Sequence, residues 1–388
     1  MGPILDKTET FIDLMEQKAA SGEEFRLEEY TTNLVFDIIG IVTFNMDLNA
    51  QREGHQSDVL LTYRALSQAF NKRPFGAKWW REYFTQNERT IRRLDAKLDA
   101  ILKEEIKRQH ASLLSSPESS LSSRSVAALS LHDIPTLTPP ILQQTSDTLR
   151  GFLFAGHDTT SILLQWLFYE LHIHPSCADA LTKELTTVFG PDARPASIIS
   201  QLRGPNAKTL LSSLPYTDAC IKEALRLHPP GTTARVAPQG SRTTLTLPNG
   251  DNLLIDGMCV SPRAYVIQRD PKIFGESRDD FVPQRWLPSE KGGAQVPESA
   301  FRPYERGPRR CTGSELANLE ARIVVACVGR WFEFVKVGLG EREVDERGEG
   351  SLDEKGRWKT KGKMFSVSFF FSFFFSSGFG AFVRWGEC

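Results

Sequence analysis

Between Pro139-Pro140 and Pro175 the chain runs without another proline, and its apolar residues recur at helical spacing through Gln165 and Trp166. Thr138 offers a cap, and proline fits the first turn of a helix because its missing N–H has no intrahelical partner there. The pattern predicts a single helix of about 33 residues, roughly 50 Å long. A helix of that length crosses a whole globular domain, so the rest of the chain must pack around it. Other segments supply the partners. Phe25 to Phe44 repeats at helical period, and Arg89 to Gln109 carries a stripe of Ile91, Leu94, Leu98, Ile101, Leu102 and Ile106. Such a stripe ordinarily marks core packing. The first 25 residues read as an amphipathic helix with Phe11, Leu14 and Met15 on one face. Further helices are expected from Ser176 to Phe189, stopped by Gly190-Pro191, and from Thr217 to Leu227 before Pro229. Asn249-Gly250 joins two short alternating runs, a hairpin signal. The fold class is mainly α with small β-sheets.

Composition excludes several functions. The net charge is −1, so no global basic field points to nucleic acid. The six cysteines, at 177, 220, 259, 311, 327 and 388, form no C-x-x-C pair, which argues against a zinc site of the usual spacing. They are too sparse for a disulfide scaffold and indicate a reducing compartment. The opening residues hold no apolar run of signal or anchor length. Residues 111–125 are serine-rich and read as a loop. Residues 338–388 read as a separate, irregular tail, charged and glycine-rich at first and then Phe/Ser-rich over 364–383. That second tract has the length of a membrane anchor. It also has the composition that translation of a pyrimidine-rich intron end would give, the reading preferred here.

Four local signals carry chemistry. Ala155-Gly156-His157-Asp158-Thr159-Thr160 interrupts the long helix. Gly156 costs about 1 kcal/mol there against alanine, and Asp158 and Thr159 are polar in an apolar setting. Close approach by another group, with water or protons involved, is one explanation; a local kink with a threonine bonded back to its own helix is the other. Glu223 and Arg226 stand three apart on one helix face, by itself no more than an ion pair. Arg285, in FVPQRW, can join them if the chain folds back. The fourth signal is RPYERGPRRCTGSEL, residues 302–316. Arginines around Cys311 favour a thiolate, glycines admit close approach, and the helix that follows presents N–H groups to an anion. A thiolate bound to a metal fits; a buried structural cysteine is the commoner alternative.

Taken together and in order, these motifs resemble those of the cytochrome P-450 haem-thiolate monooxygenases, over about residues 138–335. The cysteine loop matches Phe-x-x-Gly-x-Arg-x-Cys-x-Gly at Gly307, Arg309, Cys311 and Gly313, with Tyr304 in the aromatic place. AGHDTT, KEALR and PQRW match the family's oxygen-activation, Glu-x-x-Arg and following-arginine motifs. The earlier helices are similar, more loosely, to fungal members.

The resemblance implies the cytochrome P-450 fold over residues 1–337, incomplete at the N-terminus. The family's early anchor, part of its sheet and a helix with Trp and Arg have no counterpart here, and the tail stands where the C-terminal strands are expected. It implies heme b (iron protoporphyrin IX) with Cys311 as axial thiolate, Gly307 and Gly313 against the porphyrin, Tyr304 shielding the cysteine, and Arg309 and Arg235 on the propionates. It places Gly156 beside the cofactor, Asp158 and Thr159 in proton delivery, and Glu223, Arg226 and Arg285 in a structural network. His228 is expected to be structural, and His157 receives no role. The implied partners are an NADPH-dependent reductase, which Arg302, Arg306 and Arg310 could meet, O2, and a lipophilic small molecule. The implied location is the endoplasmic reticulum membrane. Two other readings stay open: a haem-thiolate isomerase or dehydratase that needs no external O2, and a truncated product without activity.

Overall fold

The computed structural model describes residues 1–71, 86–115, 125–288, 296–345, 348–362 and 380–385. Its axis is the helix anticipated from the proline boundaries, Pro139–Ile173, with Thr138 in extended conformation at its start. Counting helices of eight residues or more, α1 is Gly2–Ser21, α2 Leu27–Phe44, α3 Asp58–Asn71, α4 Gln86–Ser115 and α5 this long helix. Then come α6 Pro175–Phe189, α7 Pro195–Arg203, α8 Pro215–Leu227 and α9 Ser314–Val328. Proline opens α5, α6, α7 and α8 within the first two positions, where it breaks no hydrogen bond. The serine-rich segment begins inside α4, which runs to Ser115; residues 116–124 lie outside the described residues.

Two hydrophobic cores flank the middle of α5. Leu149 and Leu153 belong to one, with Phe36 and Ile39 of α2, Val59, Leu60 and Tyr63 of α3, and Leu98 and Leu102 of α4. Leu163, Leu164, Leu167 and Phe168 belong to the other, with α1, the opposite face of α2, and α6 to α9. Each buried leucine contributes about 1.5–3 kcal/mol of transfer free energy. The polar stretch 155–160 falls where α5 passes from the first core to the second. The amphipathic period of α2 serves both cores, so α2 is the principal neighbour of α5.

The strands are short. β1 (Phe25–Arg26), β6 (Phe332–Lys336) and β7 (Gly380–Trp385) form one antiparallel sheet in the order β1-β7-β6. β2 (Arg235–Val236) pairs with β5 (Cys259–Val260). β3 (Thr244–Thr246) pairs with β4 (Asn252–Leu254), the hairpin marked by Asn249-Gly250, with Gly250 at φ +89°. The tail departs from the irregular reading of its sequence. Isolated bridges join Arg342 to Thr360, Val344 to Gly350 and Leu352 to Trp358, and its last described stretch is β7, where C-terminal strand structure was not expected. Most of the Phe/Ser tract considered as an anchor lies outside the described residues. Among the described residues no helix is long and apolar enough to cross a membrane.

Candidate functional site

The site is built on a buried carboxylate. Glu223 and Arg226, on α8, are both fully buried. Arg226 donates to both oxygens of Glu223, through Nε and Nη2, at 2.8 Å each. Arg285 Nε donates to Glu223 Oε1 at 2.9 Å, Trp286 Nε1 to Oε2 at 2.8 Å, and the Val282 N–H to Oε1 at 2.9 Å. The chain therefore folds back to bring the three residues together. Charge pairing and filled lone pairs are what make such burial tolerable. Arg226 also holds backbone: its guanidinium donates to the carbonyls of Gln268, Arg278 and Asp280 at 2.9, 2.6 and 2.9 Å. The Phe274 ring lies beneath it, 4.8 Å from the guanidinium carbon.

Gln268 carries this network to the cysteine loop. It is fully buried, its amide nitrogen donates to the carbonyls of Leu225 and Arg226, and its amide oxygen accepts from the Arg302 N–H at 2.7 Å. Trp286 reinforces the link, its ring 4.5 Å from Phe301. Sequence reasoning missed Gln268 and Trp286. Trp286 stands within the PQRW motif, which could have flagged it; nothing in the sequence marks Gln268.

The loop that follows is tightly turned. Glu305 has φ +55° and Gly307 φ +78°, and Gly307 thus occupies a backbone region that side chains disfavour. Gly307–Arg309 makes one turn of 3-10 helix. The Cys311 N–H donates to the Tyr304 carbonyl at 2.9 Å, and the Tyr304 hydroxyl donates to Asn318 on α9 at 2.9 Å. Burial, then the Cys311 charge, raises the Tyr304 phenol above its ordinary range. Cys311 itself is exposed, just before the start of α9. A side chain at Gly313 would meet only the Cys311 sulfur, at 3.9 Å. Arg309 and Arg310 are exposed. Arg306 pairs with Glu298, and Arg302 with Glu305 at 2.7 Å. Arg235 is exposed on β2, its guanidinium donating to the Ala234 carbonyl at 2.9 Å.

The motif of α5 faces elsewhere in part. Gly156 is crowded by Ile39 of α2, whose Cδ1 would stand 2.8 Å from an added Cβ, so the close approach at this glycine is by a neighbouring helix. Thr159 Oγ1 donates to the Ala155 carbonyl at 3.0 Å, the back-bonded arrangement. Asp158 is half-buried, and burial, with Glu28 adding to it, lifts its carboxyl to about 6. Glu320 of α9 is buried, and that burial raises its carboxyl to about 8. His228 lies flat on Trp166, with centroids 3.8 Å apart, and bonds Glu170 through Nε2 at 2.6 Å; it belongs to the core.

The arrangement presents one exposed thiol on a braced loop. Among the described residues no three of His, Cys, Asp and Glu gather to hold a metal ion. A metal bound through Cys311 must therefore bring its remaining ligands with it, as iron in a porphyrin does. An open cradle beside the sulfur, at Gly313, fits that requirement.

The comparisons with known proteins bear on this fold. The cytochrome P-450 family profile matches residues 4–356. The chain belongs to the cytochrome P-450 family of haem-dependent oxidoreductases. It is similar to cytochrome P-450 monooxygenase acrF of Aspergillus aculeatus, 28% identical over 85% of this chain and 68% of that one. It is 29% identical to cytochrome P-450 monooxygenase polC of Polytolypa hystricis, over 85% of this chain and 58% of the relative. A bifunctional cytochrome P-450/NADPH–P-450 reductase, ascE of Acremonium egyptiacum, is 32% identical over 50% of this chain and 17% of its own length. The crystal structure of the cytochrome P450DA heme domain superposes with a TM-score of 0.71 at 17% identity, covering all of this chain and 73% of that one.

Proposed function

We propose that this chain is the haem-carrying part of a monooxygenase that inserts one oxygen atom from O2 into a lipophilic substrate. One observation supports this above the others: an exposed thiol, Cys311, on a loop tied by Gln268 and Arg226 to the buried Glu223. Cys311 would hold heme b through its thiolate, and the bound group would supply dioxygen activation. Gly307 and Gly313 leave room for the porphyrin, Tyr304 covers the cysteine, and Arg309 and Arg235 are the cations for the propionates. Glu223, Arg226 and Arg285 act on the loop's position and not on the reaction. On α5, the Asp158 carboxyl can hold or release a proton near neutral pH. The Thr159 hydroxyl donates to Ala155 and keeps lone pairs free to accept from water.

Electrons come, on this reading, from an NADPH-dependent reductase, an activity fused to the cytochrome in the named relative ascE. The endoplasmic reticulum membrane is the proposed location, which cell fractionation with an antibody to the chain tests. The test of function is an optical spectrum of the haem-supplied protein, reduced under carbon monoxide. A strongly red-shifted Soret band that disappears in Cys311→Ala is expected; the same band in both proteins removes Cys311 as ligand. Turnover that requires both O2 and reductase separates a monooxygenase from an isomerase or dehydratase.

A further inference from the structure

The charged, glycine-rich start of the tail is folded, and it is docked onto the helical body. Its short runs bridge one another, Arg342 with Thr360, Val344 with Gly350 and Leu352 with Trp358. Backbone bonds join the runs: the Glu343 N–H donates to the Lys359 carbonyl at 2.8 Å, and the Lys359 N–H to the Ser351 carbonyl at 3.0 Å. The Trp358 ring packs among them. The Arg342 guanidinium carbon lies 4.7 Å from its centroid, and a side chain at Gly350 would meet the ring at 3.1 Å. Two contacts reach the rest of the chain. The Trp358 N–H donates to the carbonyl of Ile173, the last residue of α5, at 2.9 Å. The final carbonyls of a helix have no intrahelical donor, and the tail supplies one. Lys355 Nζ donates to both carboxyl oxygens of Asp280 at 2.7 Å each, and Arg357 stands 3.7 Å from one of them.

We propose that the described residues of 340–361 form a strap that ties the end of α5 to the segment around Asp280, and so positions the Glu223–Arg226 network that braces the cysteine loop. Asp280 is the joint. Its carboxyl is held by the strap, while its carbonyl accepts from Arg226 at 2.9 Å. Two residues on, the Val282 N–H donates to Glu223. From Asp280 a path of hydrogen bonds runs through Arg226 to the Gln268 carbonyl, and from the Gln268 side chain to the Arg302 N–H. The Asp280 side chain is only 16% exposed, so salt screens its pairing less than that of an open surface pair. Lys355, Arg357 and the Trp358 amide are positioning groups on this account. Their action goes through the network and not to the reaction.

Amide hydrogen exchange of the full chain tests this at two N–H groups, those of Val282 and Arg302. Arg302 is reached through Arg226 and Gln268, so its amide separates positioning of the network from mere covering of Asp280. In one variant a glycine-serine linker of equal length replaces residues 340–361 and leaves β6 and β7 in place; faster exchange at both amides is expected. Lys355→Glu sets a carboxylate against Asp280 and should speed both by about threefold or more, within the reach of a surface ion pair. Lys355→Arg keeps the cation and should leave both near the parent rates. A folded linker variant in which Arg302 exchanges at the parent rate overturns the proposal. If that variant does not fold, unchanged rates at both amides in Lys355→Glu do the same. The measurement needs neither haem nor turnover, so its outcome is independent of the monooxygenase reading.

Discussion

The side-chain amide oxygen of Gln268 accepts the backbone N–H of Arg302 at 2.7 Å, so the cysteine loop is hung from the same residue whose carbonyl caps Arg226. Replacing Gln268 by leucine strands two carbonyls and one N–H in the interior. A loss of about 1–3 kcal/mol is expected, measured by denaturant unfolding. If the loop is tied as described, Gln268→Leu also weakens haem retention while Gln268→Glu keeps part of it.

Glu223→Ala leaves two guanidinium groups facing each other without their carboxylate. Removing one partner of a buried pair typically costs 3–5 kcal/mol. The expected outcome is a chain that no longer unfolds cooperatively at ordinary temperature, seen as loss of the thermal transition by circular dichroism. An intact transition within about 1 kcal/mol of the parent contradicts the account of this network.

Gly156→Ala sets two effects against each other. Alanine favours the helix by about 1 kcal/mol, but its Cβ meets Ile39 Cδ1 at 2.8 Å and Cγ1 at 2.9 Å. Overpacking costs about 1–3 kcal/mol, so net destabilisation is expected. Ile39→Ala removes both offending carbons and should cost less in the Gly156→Ala background than in the parent. Additive effects in that double-mutant cycle place the crowding elsewhere.

Stability should fall on both sides of a window in pH. Glu320 carries a carboxyl raised to about 8 by burial. Its contribution is full below the unfolded value near 4.5 and is lost as pH rises through 8, by roughly 1.4 kcal/mol per unit. Glu320→Gln therefore stabilises the protein more at pH 8 than at pH 5. On the acid side, burial would raise Glu170, but hydrogen bonds from His174 and His228 hold it down to about 2. Burial lowers His228. Both groups stabilise the fold at neutral pH and cease to as pH falls, Glu170 between about 4.5 and 2 and His228 below its ordinary value of 6.5. Equal unfolding midpoints at pH 5 and 8 for Glu320→Gln relative to the parent remove the alkaline half of this prediction.

The long helix was legible because its limits are local: prolines at both ends and a period of 3.6 between them. The Glu223–Arg226 pair was legible for the same reason, being three apart on one turn. Arg285 could be named only as a residue that joins them on folding, and the structure gives the distance. Gln268 and Trp286 were not assigned, because a single polar residue between short elements has no period and draws its meaning from carbonyls far along the chain. Gly156 shows the converse. Its sequence signal was correct as to close approach, yet a sequence cannot say which neighbour approaches, and it is Ile39. β7 escaped notice because its partners, β1 and β6, lie at distant points and its composition follows no alternation.

That pairing has a consequence for how the molecule is made. Phe25 pairs with Ala381 and Arg26 with Gly380, so β1 must wait, during synthesis, for a strand far along the chain. The sheet cannot close during elongation, and contacts of such sequence separation form late and slowly. Until then the edge of β6 is unpaired, a surface on which a nascent chain is open to association with another. Closure of this sheet is thus paced by the synthesis of β7, however early the helices condense.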